Sequence, residues 1–193
     1  FNVTATVNDS VLFAQISEVG GKLISFSYSG SCKETNFDGD YVTAKALEFL
    51  ASQGFNDMRP VWVNLSDNVY TINFAGSKDD VIIYSDLVKV RVCAETAAVI
   101  GMEATSYYTN HTERVINKAA LSAEQARSKV SSSIDVITCR KAIVPIGEKS
   151  EKLCYEFSGT YDGSAYFVYI DAETGRQVEM FKVISSDEGE LLM

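Results

Sequence analysis

From Val3 onward, apolar and polar residues alternate. Val3, Ala5 and Val7 fall on one side of an extended chain and their polar neighbours on the other, the period-two signature of a half-buried strand. Asn8-Asp9-Ser10 turns the chain, residues 11–16 return it, Gly20-Gly21 turns it again and residues 23–28 form a third strand. Residues 30–36 read as a connector. The period then changes to that of a helix: Val42, Ala46, Phe49 and Leu50 share one face, Asp40 or Thr43 is placed to cap it, and Gly54 to stop it. Beyond it the strand pattern resumes, with turns at residues 66–68, a loop at 76–80, and Val88, Val90 and Val92 alternating with Lys89 and Arg91. Residues 95–98 turn the chain into a short strand at 99–102.

The same plan is then written again. Ser122-Ala123-Glu124-Gln125 is a capping box, in which the serine accepts a backbone N–H and Gln125 reaches back to the cap. Ala126 and Val130 continue the inward face. Strands follow at 136–144, 153–157, 166–170 and 178–184, with turns beginning at Pro145 and at Asp162-Gly163. Ala-Glu-Thr occurs at 94–96 and again at 172–174, and Met102 and Met180 follow the two copies at the same distance. Repetition on this scale predicts stacked supersecondary units, each a helix covering an antiparallel sheet of about four strands. The predicted units are 38–108 and 118–188, preceded at 1–34 by strands alone. In that partial unit Glu18, Gly20 and Leu23 align with Glu173, Gly175 and Val178. The fold class is therefore α+β, with junctions at 30–39 and 109–118.

Composition narrows the functional classes. A chain of 193 residues, 46% apolar, can bury a core, and a formal charge of −9 opposes phosphate binding and attraction to anionic lipid. No apolar run approaches the roughly 20 residues of a membrane-spanning helix. The chain opens at Phe1 and reads as a processed or excised segment, with any targeting element outside it. Cys32, Cys93, Cys139 and Cys154 lack metal-finger spacing. Cys139 and Cys154 could face each other across a hairpin, as a disulfide or as free packing thiols. Four Asn-X-Ser/Thr sequences, at Asn2, Asn8, Asn64 and Asn110, matter only in a host that glycosylates.

Catalytic sets are hard to assemble. His111 is the single histidine, which removes multi-histidine metal sites and most triads. Between Asn110 and Thr112 it reads first as a junction residue, with general base and partner contact as alternatives. Glu95 and Glu173 recur, but in equivalent hairpins of different units, where turn chemistry accounts for them better than a glycosidase pair. Asp79-Asp80 and Asp187-Glu188 read as solvated acidic runs short of a calcium site. No glycine loop cradles phosphate ahead of a helix. The expected sites are thus none for catalysis, cofactor or metal. The aromatic surplus is more informative: residues 166–170 are apolar on both faces, so one set must meet a neighbouring unit, a partner or solvent. Tyr107-Tyr108 is placed to clamp successive units. An open sheet edge would offer backbone groups to an extended partner segment.

Several stretches in this order carry a family resemblance: Val88-Lys89-Val90-Arg91-Val92, then Tyr107-Tyr108-Thr109-Asn110-His111 with Arg114, Leu121-Ser122-Ala123-Glu124-Gln125-Ala126-Arg127, Leu153-Cys154-Tyr155-Glu156-Phe157 and Tyr169-Ile170-Asp171-Ala172-Glu173-Thr174-Gly175. Together they resemble the C-terminal PepSY repeats of YpeB-type spore-germination proteins, with Ala97 standing where a turn glycine is usual. The resemblance implies PepSY-like units at 1–34 (partial), 38–108 and 118–188. It implies a non-enzymatic, extracytoplasmic role at the outer face of the spore inner membrane, anchored by an N-terminal segment outside this chain. It further implies a partner, the cortex-lytic hydrolase SleB, which the protein binds, stabilises and restrains until germination. Inhibition of a secreted peptidase and hydrolysis of the wall itself are the alternatives.

Overall fold

The computed structural model describes residues 1–147, 150–186 and 189–192, with side chains through 184. The chain divides into two compact units. One comprises Phe1–Gly76 with Asp86–Thr112, the other Ser77–Ser85 with the chain from Glu113 onward.

In the first unit β1 (Asn2–Val7), β2 (Ser10–Ile16) and β3 (Leu23–Tyr28) form an antiparallel meander, and β3 pairs with β7 (Val99–Glu103). β7 lies against the later residues of β6 (Val81–Cys93), and β6 neighbours β5 (Val69–Lys78), which pairs with β4 (Met58–Ser66). Helix α1 (Gly39–Ser52) covers this sheet because its spacing puts Val42, Ala46 and Leu50 on one stripe, all fully buried. They meet Ile72, Phe74, Val88, Val90 and Val92, and each large side chain so buried is worth about 1.5–3 kcal/mol. The cap of α1 is Asp38, whose carboxylate accepts the Tyr41 N–H at 2.8 Å, rather than Asp40 or Thr43. Gly54 follows the helix at φ 87, a left-handed conformation that glycine adopts freely.

In the second unit α3 (Ala123–Arg127) opens with the predicted capping box on Ser122 and Gln125. It covers an antiparallel run of β8 (Asp135–Ile146), β9 (Ser150–Tyr161), β10 (Ser164–Asp171) and β11 (Gln177–Ser186), with β12 (Gly189–Leu192) beside β11. Its core joins Ala126, Val130 and Ile134 to Tyr155, Phe157, Val168 and Ile170. A parallel pairing, absent from the expected plan, sets Val81–Ile83 of β6 against Lys141–Ile143 of β8. An α+β fold of helix-backed sheets is what the structure has.

Several details differ from the sequence reading. The expected loop at 76–80 is strand through Lys78, and the turn is Asp79-Asp80, at φ 51 and 59. β8 likewise runs through Pro145 to Ile146. The junction after β7 contains a helix, α2 (Thr105–Asn110), with no side-chain cap to signal it. In the opening strands the alignment shifts by one position. Bulges fall at Gln15/Ile16, Arg91/Val92 and Tyr169/Ile170, which makes Gln15, Arg91 and Tyr169 equivalent. Val19 and Gly21, not Glu18 and Gly20, therefore stand where Glu173 and Gly175 stand.

Cys139 and Cys154 are both free. Cys139 pairs with Phe157 and Cys154 with Ala142, an odd offset that sends the two thiols to opposite faces of the hairpin. The disulfide instead joins Cys32 to Cys93.

Candidate functional site

Each helix-bearing unit ties its helix entry to its bulged hairpin in the same way. In the second unit the Ala172 carbonyl accepts the N–H groups of Ala120 and Leu121 at 3.1 and 3.0 Å. In the first unit the Ala94 carbonyl accepts those of Asn36 and Phe37, both at 3.0 Å. Beside this tie the two copies diverge.

In the second unit Asp171, 4% exposed, organises the turn. Its Oδ1 accepts the main-chain N–H groups of Glu173 and Thr174 at 2.9 and 3.0 Å, and its Oδ2 accepts Lys152 Nζ at 2.6 Å. Burial alone would raise its pKa. The lysine and the two N–H groups outweigh that and hold it at about 2. Next to it is a groove of about 400 Å³, whose walls are residues 117–120, 151–153 and 171–174. β10 pairs with β9 only as far as Cys154, so residues 150–153 of β9 overhang into this groove.

In the first unit Cys93 takes the place of Asp171, and its disulfide to Cys32 lays residues 32–35 along the hairpin. The Glu95 carboxylate accepts the Lys33 main-chain N–H at 2.8 Å, Asn36 Nδ2 donates to the Glu95 carbonyl at 3.2 Å, and the Thr35 hydroxyl meets the Asn68 side chain at 2.9 Å. The recurrent glutamates thus sit in separate hairpins, and the Glu95 side chain anchors the connector.

His111 lies elsewhere in the first unit. Its Nδ1 is 2.6 Å from Oδ2 of Asp86, a carboxylate 1% exposed, and its ring stacks on Tyr107 at 4.5 Å. Tyr107 and Tyr108 pack on Phe55 at 4.9 and 5.6 Å, with Lys22 5.7 Å above Tyr108. These rings join the turn between β2 and β3 to the helix-bearing repeat. A histidine oriented by a buried aspartate supplies two of the three members of a triad. Ser52, in the same groove of about 540 Å³, spends its hydroxyl on the Phe49 carbonyl at 2.6 Å, so it is not presented as a nucleophile. The pair therefore reads as a brace on the end of α2. Spacing gave no hint of Asp86, which is 25 residues from its partner.

A second buried carboxylate was also invisible to motif reading. Glu156, 1% exposed on the helix-free face of the second unit, accepts Arg140 Nε at 2.7 Å and the Tyr84 hydroxyl. Arg140 also donates to the Tyr84 oxygen at 2.8 Å. Burial, and next the Glu156 charge, push the Tyr84 pKa up, so the phenol stays protonated. Tyr169 meets Tyr84 and Phe181 at 6.1 and 5.9 Å between ring centres, which occupies part of the second apolar face of β10.

Asp79-Asp80 is a hairpin turn, and Asp187-Glu188 lies outside the described residues. Among the described residues no three His, Cys, Asp or Glu side chains converge as a metal site requires. Burial pushes the Cys154 thiol up to about 12 and that of Cys139 upward, which leaves both poor nucleophiles.

The family profile described as "YpeB sporulation, PepSY1 and PepSY2 domains" matches residues 1–117, and "Peptidase propeptide and YPEB domain" matches 120–181. The chain belongs to the YpeB sporulation protein family. A sporulation protein YpeB from Halalkalibacterium halodurans is 30% identical over 89% of this chain and 38% of its own length. That of Oceanobacillus iheyensis is 31% identical over 82% of the chain and 35% of its length. The chain thus spans well under half of these YpeB relatives. The solved C-terminal domain of Bacillus megaterium YpeB superposes with a TM-score of 0.84 at 29% identity, covering 94% of this chain and 81% of that domain.

Proposed function

We propose that the chain is a non-catalytic part of a spore-germination protein that binds the cortex-lytic hydrolase SleB, stabilises it and restrains it until germination. The observation that carries this reading is the thrice-repeated bulged hairpin within a YpeB family chain, a plan that produces surface rather than a cleft of converging acids. The repeats are best divided as PepSY-like units at 1–34, 38–108 and 118–188. The Cys32–Cys93 disulfide supports an extracytoplasmic, oxidising location, here the outer face of the spore inner membrane, held there by a segment outside this chain. No helix among the described residues is long and apolar enough to cross a membrane.

Mixing the purified chain with the purified hydrolase tests the reading. Complex formation, slower proteolysis of the hydrolase and lower cortex-lytic activity are expected. Release of cortex fragments by the chain alone, or indifference of the hydrolase to its presence, would overturn it. The words "Peptidase propeptide" in the description that matches 120–181 favour one second reading, inhibition of a secreted peptidase, which an inhibition assay decides.

A further inference from the structure

Among the differences between the two helix-bearing repeats is the path of the connector ahead of the helix. In the first unit the connector ahead of the helix runs along the bulged hairpin, with Cys32 bonded to Cys93 and the Lys33 N–H on the Glu95 carboxylate. Phe37 and Leu121 make the same hairpin tie in the two units, and counting back equally from each sets Ile116 in the place of Cys32. Ile116 packs instead against the cluster of Val81, Ile83 and Ile143. The flank of the second hairpin therefore lacks the strip of chain that covers the first. What remains is the groove of about 400 Å³, with Glu173 exposed where Glu95 is half-buried.

The groove also has a backbone wall. The Leu153 carbonyl is taken by the Ala172 N–H at 2.9 Å, and β10 goes no further along β9. Glu151, two residues back, turns its main-chain groups to the same side, beyond the end of β10. An overhanging strand edge of this kind accepts an extended segment by main-chain hydrogen bonding. The side chains are mixed in sign, with Lys118 and Lys152 near Asp171 and Glu173, which suits a polypeptide better than a strongly charged small ligand.

We infer that this groove is the docking site for an extended polypeptide segment of a partner protein. That segment lies along residues 150–153 and gives a main-chain N–H to the Glu173 carboxylate, as Lys33 gives one to Glu95. The inference rests on the proposed reading of the chain as a protein-binding partner and specifies where that binding occurs.

The hydrolase itself is the probe. Calorimetry compares the wild-type chain, Glu173→Arg and, as a control on the opening strands, Val19→Glu, with thermal melts confirming that each is folded. In parallel a photo-crosslinking residue replaces Thr174. The expected result is at least tenfold weaker binding for Glu173→Arg, no change for Val19→Glu, and a crosslink from position 174 to one short hydrolase segment. Wild-type affinity in Glu173→Arg with no crosslink would overturn the groove while leaving the partner reading intact. Absence of wild-type binding would overturn both.

Discussion

Ala97 and Gly175 occupy the same position in two equivalent hairpins, and both take left-handed backbone, at φ 57 and φ 71. In each turn their N–H bonds back to the carbonyl at the turn's start, Ala97 to that of Cys93 at 2.8 Å and Gly175 to that of Asp171 at 2.9 Å. The departure from the usual turn glycine is therefore one of residue type, with the turn geometry kept.

That equivalence predicts opposite responses to a swap. An alanine in the left-handed region costs about 1 kcal/mol, so Ala97→Gly should leave stability unchanged or raise it by up to about 1 kcal/mol, since glycine's unfolded-state entropy offsets part of the gain. Gly175→Ala should lose more than that, because its new Cβ would also stand 3.1 Å from Leu121 Cδ1. Denaturant midpoints of the two variants check this, and a stabilised Gly175→Ala would refute it.

The Cys32–Cys93 bond closes a loop with a sequence separation of 61. On the chain-entropy model such a loop contributes about 4 kcal/mol. Reductant, or Cys93→Ala, should lower the melting temperature, while Cys139→Ala should leave it nearly unchanged. Thiol titration of the denatured chain should find two free groups before reduction and four after. Four at the outset would contradict the pairing.

How much of this was legible follows from the range of each signal. Asn8-Asp9, Asp67-Asn68 and Asp162-Gly163 all adopt the positive φ of tight hairpins, because short polar residues tolerate that region and the information is local. The Ser122 capping box is confined to one helical turn and was equally readable. Asp86–His111, Glu156–Arg140 and Cys32–Cys93 connect residues 25, 16 and 61 positions apart, and no period or spacing rule joins them. The parallel contact of β6 with β8 was hidden for another reason. Both strands are rich in valine and isoleucine, and nothing in a strand's own pattern names its neighbour. The groove was hidden too, since it depends on which way a connector runs.

The buried Glu156 gives an asymmetric mutational test. Arg140→Ala leaves a carboxylate without its cation and should cost about 3 kcal/mol. Tyr84→Phe removes one hydrogen bond from the same group and should cost about 1–2 kcal/mol. Replacing both partners together, as Arg140→Met with Glu156→Leu, should cost less than Arg140→Ala alone. Urea unfolding of the three variants decides, and a double variant that costs as much as Arg140→Ala or more would count against this account.

Acid should weaken the second hairpin through Asp171. Its folded pKa, about 2, lies below the ordinary 3.8, so the folded chain holds on to the charged form more strongly than the unfolded chain does. A depressed carboxylate of this kind contributes its full stability above the unfolded pKa and loses it as pH falls through the folded one. The window is therefore roughly pH 4 to 2, and the contribution about 1–2 kcal/mol after allowance for solvent near Lys152. Asp171→Asn keeps an oxygen for the N–H groups of Glu173 and Thr174 but loses the charge that holds Lys152. It should be less stable than wild type at pH 6, and the gap should close towards pH 2. Stability curves measured against pH for both proteins test this directly, and a gap that stays constant across the window would show that the carboxylate's charge is not what holds the turn.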